Sequence, residues 1–161
     1  MCKNSVRWLY KLEQNFTWDS KNSIPEDLVF RDKMGKVRLI IEESGRITIM
    51  EGYAWDGCSP KFCVWDILLG TPDGVVHAQT GRPKTYYASM VHDALYQFLP
   101  DGLPLKRRHA DRFFFRLMEE SEFAPRWIYW GAVSIFGGVI WRATRRKRKN
   151  RGKRQRVAEL I

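Results

Sequence analysis

Apolar and polar positions are arranged strand-like in the first part of the chain and helix-like in the second. Val37-Arg38-Leu39-Ile40-Ile41 and Arg46-Ile47-Thr48-Ile49-Met50 are β-branched runs on either side of Glu42-Glu43-Ser44-Gly45. A polar turn ending in Gly between two such runs predicts a hairpin. Leu28-Val29-Phe30, ahead of Lys33-Met34-Gly35-Lys36, predicts another strand and turn. Residues 1–27 have no clean period, and Trp8, Phe16 and Trp18 are expected to pack on the sheet. Gly52 to Pro60 is turn-rich. Ser59-Pro60 has the form of a cap followed by a first helical residue, so a short helix ending at Gly70 is expected, with Phe62, Val64, Trp65 and Leu68 inward. Residues 71–84 read as a loop or small hairpin.

Beyond that point the spacing becomes helical. Tyr86 to Leu99 forms one segment, stopped by Pro100-Asp101-Gly102 with Pro104 following. Lys106 to Glu122 forms a second, with an apolar face of Phe113, Phe114, Leu117 and Met118. Ala124-Pro125 starts a third, Arg126 to Trp141. The expected class is α+β: an N-terminal antiparallel β-sheet, then a three-helix segment, then a basic C-terminal arm. The expected organisation is a lead-in over 1–27 that packs on the sheet, a single domain over 28–141 and a tail over 142–161.

Composition adds limits. With 161 residues, 44% hydrophobic and 29% charged, the chain can build one core, which excludes a wholly disordered protein and a polytopic membrane protein. Cys2, Cys58 and Cys63 are odd in number and lack CxxC spacing, so free thiols in a reducing compartment are expected. The first residues, Met1 to Trp8, hold no apolar run, so no secretory signal is expected. The net charge of +10 comes from the tail, which carries ten of the 28 basic residues and one of the 18 acidic ones. Arg145, Arg146, Lys147, Arg148, Lys149, Arg151, Lys153 and Arg154 are expected to contact phosphate, on nucleic acid or on anionic phospholipid. The alternative is a solubilising tail. Trp127 to Trp141 is uncharged for fifteen residues between Arg126 and Arg142, short of the roughly 20 that a membrane span needs. Two readings stand for it. One is a core helix whose Gly131, Gly137 and Gly138 permit close packing; the other is a helix resting on a membrane with tryptophans at the interface and the tail on headgroups.

The candidate chemistry lies in polar residues within apolar helices. His92 and Tyr96 are four apart and share a helical face, while Asp93 sits about 100° round from His92. If the first two helices pack antiparallel, Asp111 can approach His92 and Tyr96. An imidazole held by a carboxylate is a general base poised near neutral pH. Asp93 could bind a hard cation, helped by carbonyls of the Trp55-Asp56-Gly57 loop. So read, His92, Asp111 and Tyr96 are catalytic, Asp93, Trp55 and Gly57 hold metal, and the whole is a metal-assisted esterase without a covalent nucleophile. Three alternatives remain open. The His/Asp set can be a satisfied structural brace, a zinc site of His92, His109, Asp93 and Asp111, or a His-Asp phosphohydrolase that adds His77.

Gly52-Tyr53-Ala54-Trp55-Asp56-Gly57-Cys58-Ser59-Pro60, then His92-Asp93-Ala94-Leu95-Tyr96, then Arg107 with Ala110-Asp111 and Phe114, then Tyr129, Val133 and Phe136-Gly137, follow one another in order. In this the chain resembles the phage and prophage proteins of the "domain of unknown function 1353" family, over roughly residues 28–141. The resemblance implies a bacteriophage or prophage origin, residence in the host cytoplasm or the virion, and phage structural proteins as partners. It brings no activity with it. One departure is Pro60 directly after Ser59, where the family places a residue between. His92, Asp93, Tyr96 and Asp111 also resemble, position by position, the His-Asp-x-x-Tyr and later Asp of phospholipase A2. That resemblance implies that His92 activates water, Asp93 binds calcium, and Tyr96 and Asp111 orient His92. It also implies action at membranes, peripherally on the inner membrane. The competing class is a non-enzymatic virion or assembly protein whose tail contacts nucleic acid or membrane.

Overall fold

A computed structural model of the chain describes residues 10–22, 24–58, 61–64, 67–70 and 76–135. Trp8, Cys2, residues 136–141 and the basic tail lie outside the described residues. The architecture is α+β: antiparallel strands come first and helices second.

The main sheet has four antiparallel strands in the order β2 (Phe16–Asp19), β5 (Arg46–Ile49), β4 (Val37–Ile41), β3 (Leu28–Arg31). Period-two alternation sets which side is inside. Leu39 pairs with Ile49 and Ile41 with Ile47, and all four are 1% exposed or less. Ile40 pairs with Thr48 on the other face, where Thr48 and Thr17 share a hydroxyl hydrogen bond of 3.0 Å. The lead-in is therefore partly sheet: β2 pairs with β5 over all four residues, with Trp18 opposite Ile47. The β4–β5 turn closes on Gly45 at φ +87°, where the backbone of Asn22 would lie 2.8 Å from an added Cβ. Glycine is required there both for its conformation and for its lack of a side chain.

A short ladder joins β1 (Tyr10–Lys11) to β6 (Ala54–Trp55). Residues 61–70 are not the short helix expected from Ser59-Pro60: β7 (Lys61–Val64) and β8 (Ile67–Gly70) pair antiparallel from Lys61↔Gly70 to Val64↔Ile67. A continuous apolar run of this length carries no helical period, and two facing four-residue strands satisfy its backbone locally. Val76 and Pro83 form an isolated antiparallel bridge ahead of the helices.

Helix α1 (Tyr86–Phe98) passes through a 3-10 turn (Leu99–Asp101) and Gly102 at φ +104° into α2 (Arg107–Glu120). Both helices pack on the sheet. Phe98 meets Phe30 at 5.2 Å between ring centroids, and Phe113 meets Trp18 at 5.4 Å. Polar ties fix α2 in place: Trp18 Nε1 donates to Glu120 at 2.9 Å, and Arg116 donates to the Ser20 carbonyl at 2.7 Å. A third helix, α3, runs over 126–135. It is not a buried core helix. Tyr129 and Val133 are buried, whereas Trp127, Ile128 and Ile135 are more than 60% exposed. No helix among the described residues is long and apolar enough to cross a membrane.

Candidate functional site

The site forms where two one-turn pairs interlock. On α1, His92 and Tyr96 stack one above the other with ring centroids 4.3 Å apart. On α2, Arg107 and Asp111 stand four apart, their guanidinium and carboxylate 3.3 Å apart through Oδ2. The two helices pack so that these pairs face each other. His92 Nε2 lies 3.2 Å from Asp111 Oδ1, and the Tyr96 hydroxyl donates to the same oxygen at 2.6 Å. Phe114, 5.0 Å from the imidazole centroid, walls the ring on the α2 side.

Asp111 is 3% exposed, and both of its oxygens are engaged. Two donors and a cation stand where water would otherwise solvate this carboxylate. With Asp111 accepting at Nε2, the neutral imidazole carries its proton there and presents a lone pair at Nδ1. Arg107 does more than face Asp111. It donates to the Tyr96 hydroxyl at 3.4 Å and to the α3 carbonyls of Ser134 at 3.1 Å and Val133 at 3.4 Å. One guanidinium thus joins the site to the third helix.

The other edge of His92 looks onto acid. Nδ1 is 3.7 Å from Asp93 Oδ1, an electrostatic contact rather than a hydrogen bond. The Asp56 carboxyl, delivered by the loop after β6, faces Asp93 in turn. Burial pushes Asp93 up to about 6, and the neighbouring Asp56 pushes the same way, against the lowering pull of His92. Burial alone would lower His92, but Asp111 and Asp93 outweigh it and the imidazole is raised above its ordinary value. The raised Asp93 and the raised His92 are coupled through their contact. Tyr53 borders this side: its phenol donates to Gln97 at 3.2 Å and is raised by burial and by the two aspartates. Tyr96 is raised as well, by burial and then by the carboxylate it donates to.

His92, Tyr96, Asp93 and Asp111 thus come together in space. Trp55 is placed differently from a simple loop donor. It pairs with Tyr10 in the β1–β6 ladder, and its indole is fully buried, 3.2 Å from Ser89 Oγ. Gly57 follows at φ +80°. His109 is spent at the start of α2, where Nδ1 accepts from the Lys106 N–H at 3.2 Å. His77 lies in the loop before α1, where it accepts from the Gln79 N–H. Neither belongs to the His92 cluster. Tyr53 and Arg107 stand in the sequence motif without an assigned role, and Asp56 enters it only as part of a carbonyl-bearing loop. Arg107 had a readable signal, its spacing of four from Asp111. Among the described residues, no group of three or more His, Cys, Asp or Glu is disposed to hold a metal.

A cleft of about 280 Å³ opens on the α2–α3 side of Asp111, with Arg107, Arg108, Arg112, Phe115, Trp127 and Trp130 in its wall. No curated protein and no solved structure matches the chain. A family profile does, over residues 23–133, a stretch that holds every member of the His92 cluster. The chain belongs to that family, described as proteins of unknown function (DUF1353).

Proposed function

We propose that this is a phage-borne hydrolase of lipid esters in which His92 is the general base. The observation that carries the reading is the held imidazole: Nε2 lies on a buried carboxylate with both oxygens engaged, and Nδ1 is left facing the part-buried carboxyl of Asp93. In that arrangement Nδ1 takes a proton from water as the water oxygen bonds to the ester carbonyl carbon. Asp111 stabilises the imidazolium without being protonated itself. The tetrahedral adduct then expels the alcohol, and the proton on Nδ1 goes to the departing oxygen. The products are a carboxylic acid and an alcohol, with no covalent enzyme intermediate.

The facing carboxyls of Asp93 and Asp56 suit a hard cation, since their mutual repulsion is relieved by one. Calcium would be held by Asp93 with Asp56 and the carbonyls of Trp55 and Gly57, and when bound would polarise the ester carbonyl. The test is hydrolysis of phospholipid vesicles by the full chain, with calcium and with chelator. His92→Asn should lower the rate by about a hundredfold or more while leaving the fold intact. Wild type inactive on every ester lipid tested would overturn the proposal.

One observation favours a second reading. Arg107 ties Asp111 to α3, as a brace between helices would. On that reading the chain is a non-enzymatic virion or assembly protein. His92→Asn would then lower stability and leave no activity to lose.

A further inference from the structure

Helix α3 is inside out. At 100° per residue, Trp130, Ser134, Trp127, Gly131, Ile135 and Ile128 follow one another round a continuous arc of about 160°, and the buried Tyr129 and Val133 lie opposite. The apolar members of that arc face solvent: Ile128 is 72% exposed, Ile135 69%, Trp127 62% and Trp130 37%. Burying only two side chains while exposing four large apolar ones is a poor arrangement for a helix whose only partner is its own core.

Beside this arc runs a basic one. Arg108 and Arg112 stand one turn apart on α2, both exposed, and no carboxylate among the described residues pairs with either. Together with Trp127, Trp130 and Phe115 they wall the cleft described above. Phe115 packs on Trp127 at 4.4 Å between centroids, which holds that indole beside the arginines.

We propose that the α2–α3 face is a docking surface for an anionic lipid bilayer, with Arg108 and Arg112 on headgroup phosphate and Trp127, Ile128 and Ile135 in the interface. Charge complementarity selects this occupant. Both ends of the chain outside the described residues are basic: residues 1–9 carry Lys3 and Arg7 and no acid, and 136–161 carry ten bases and one acid. Neither end complements an arginine-edged face. Nucleic acid would use the arginines and tryptophans but has no use for exposed isoleucines. A bilayer uses all of them: aliphatic side chains enter the acyl boundary, indoles sit at the headgroup level, and arginines reach phosphate. The surface stands apart from hydrolysis, so its test does not require turnover.

The test is sedimentation of the full chain with phosphatidylcholine vesicles, with and without phosphatidylglycerol. Wild type should bind the anionic vesicles preferentially. Trp127→Ser/Ile128→Ser should weaken that binding by about tenfold or more through lost apolar area. Arg108→Gln/Arg112→Gln should lower the preference for anionic over neutral vesicles by about tenfold, the share of two cations at the surface, with the tail supplying the rest. All four positions are exposed, so circular dichroism should show unchanged folding. Retained binding in both double variants would overturn the proposal. So would binding to duplex DNA that falls in both variants while vesicle binding does not, since the face would then serve nucleic acid.

Discussion

At the scale of single residues, the site depends on where protons sit. Asp93 has a folded-state value of about 6, above its ordinary range, because burial and Asp56 both disfavour the charge. A raised carboxyl lends stability that is complete below about pH 4, and that stability is lost as pH rises through 6. His92, also raised, acts in the same direction: its contribution fades as pH climbs past its folded value. Asp93→Asn removes the buried charge without removing bulk. At pH 7.5 the variant should be more stable than wild type by about 1–2 kcal/mol, net of the lost Nδ1 contact. Near pH 4 the two should coincide. Urea unfolding across that range checks both ends, and a gap that stays constant with pH would show that Asp93 is not the titrating group.

At the scale of elements, much was legible in the sequence and some was not. The β4–β5 hairpin and the two long helices follow from period and punctuation, because Gly45 and Pro100-Asp101-Gly102 interrupt strongly patterned runs. The His92–Asp111 approach follows from the spacing of four between His92 and Tyr96 and from a short connection that packs the two helices antiparallel. The β7–β8 hairpin did not follow, because an apolar run of that length looks alike in strand and helix. Asp56 could not be assigned as a side-chain participant, since only the tertiary fold brings its loop over α1. The outward face of α3 stands between two readings in the sequence, since an uncharged run fits a core helix or a helix on a membrane until its neighbours are known. Gly45 offers a sharp test of what holds the hairpin. Gly45→Ala combines a left-handed backbone with a collision on Asn22 and should cost about 2 kcal/mol or more. Gly35→Ala, at φ +80° with open space around it, should cost about 1 kcal/mol. Equal losses in urea unfolding would mean that the Asn22 contact is not what demands glycine.

At the scale of the molecule, charge is divided. Residues 1–141 are nearly neutral and the last twenty are densely basic. The proposed phosphate-binding role of Arg145 to Arg154 should therefore be separable from the α2–α3 face. Deleting residues 142–161 should flatten the salt dependence of binding to DNA or anionic vesicles while leaving the apolar component of vesicle binding in place. An unchanged salt slope would remove the tail from that role.

Arg107 gives this arrangement one more property. The same planar cation clasps the acid that steadies the imidazole and the carbonyl oxygens of the helix that faces outward. Rolling or sliding that helix by even a fraction of a turn must drag on the cation, and so on the acid. Whatever seats itself against the outer helix presses, through one guanidinium, on the carboxylate that holds His92.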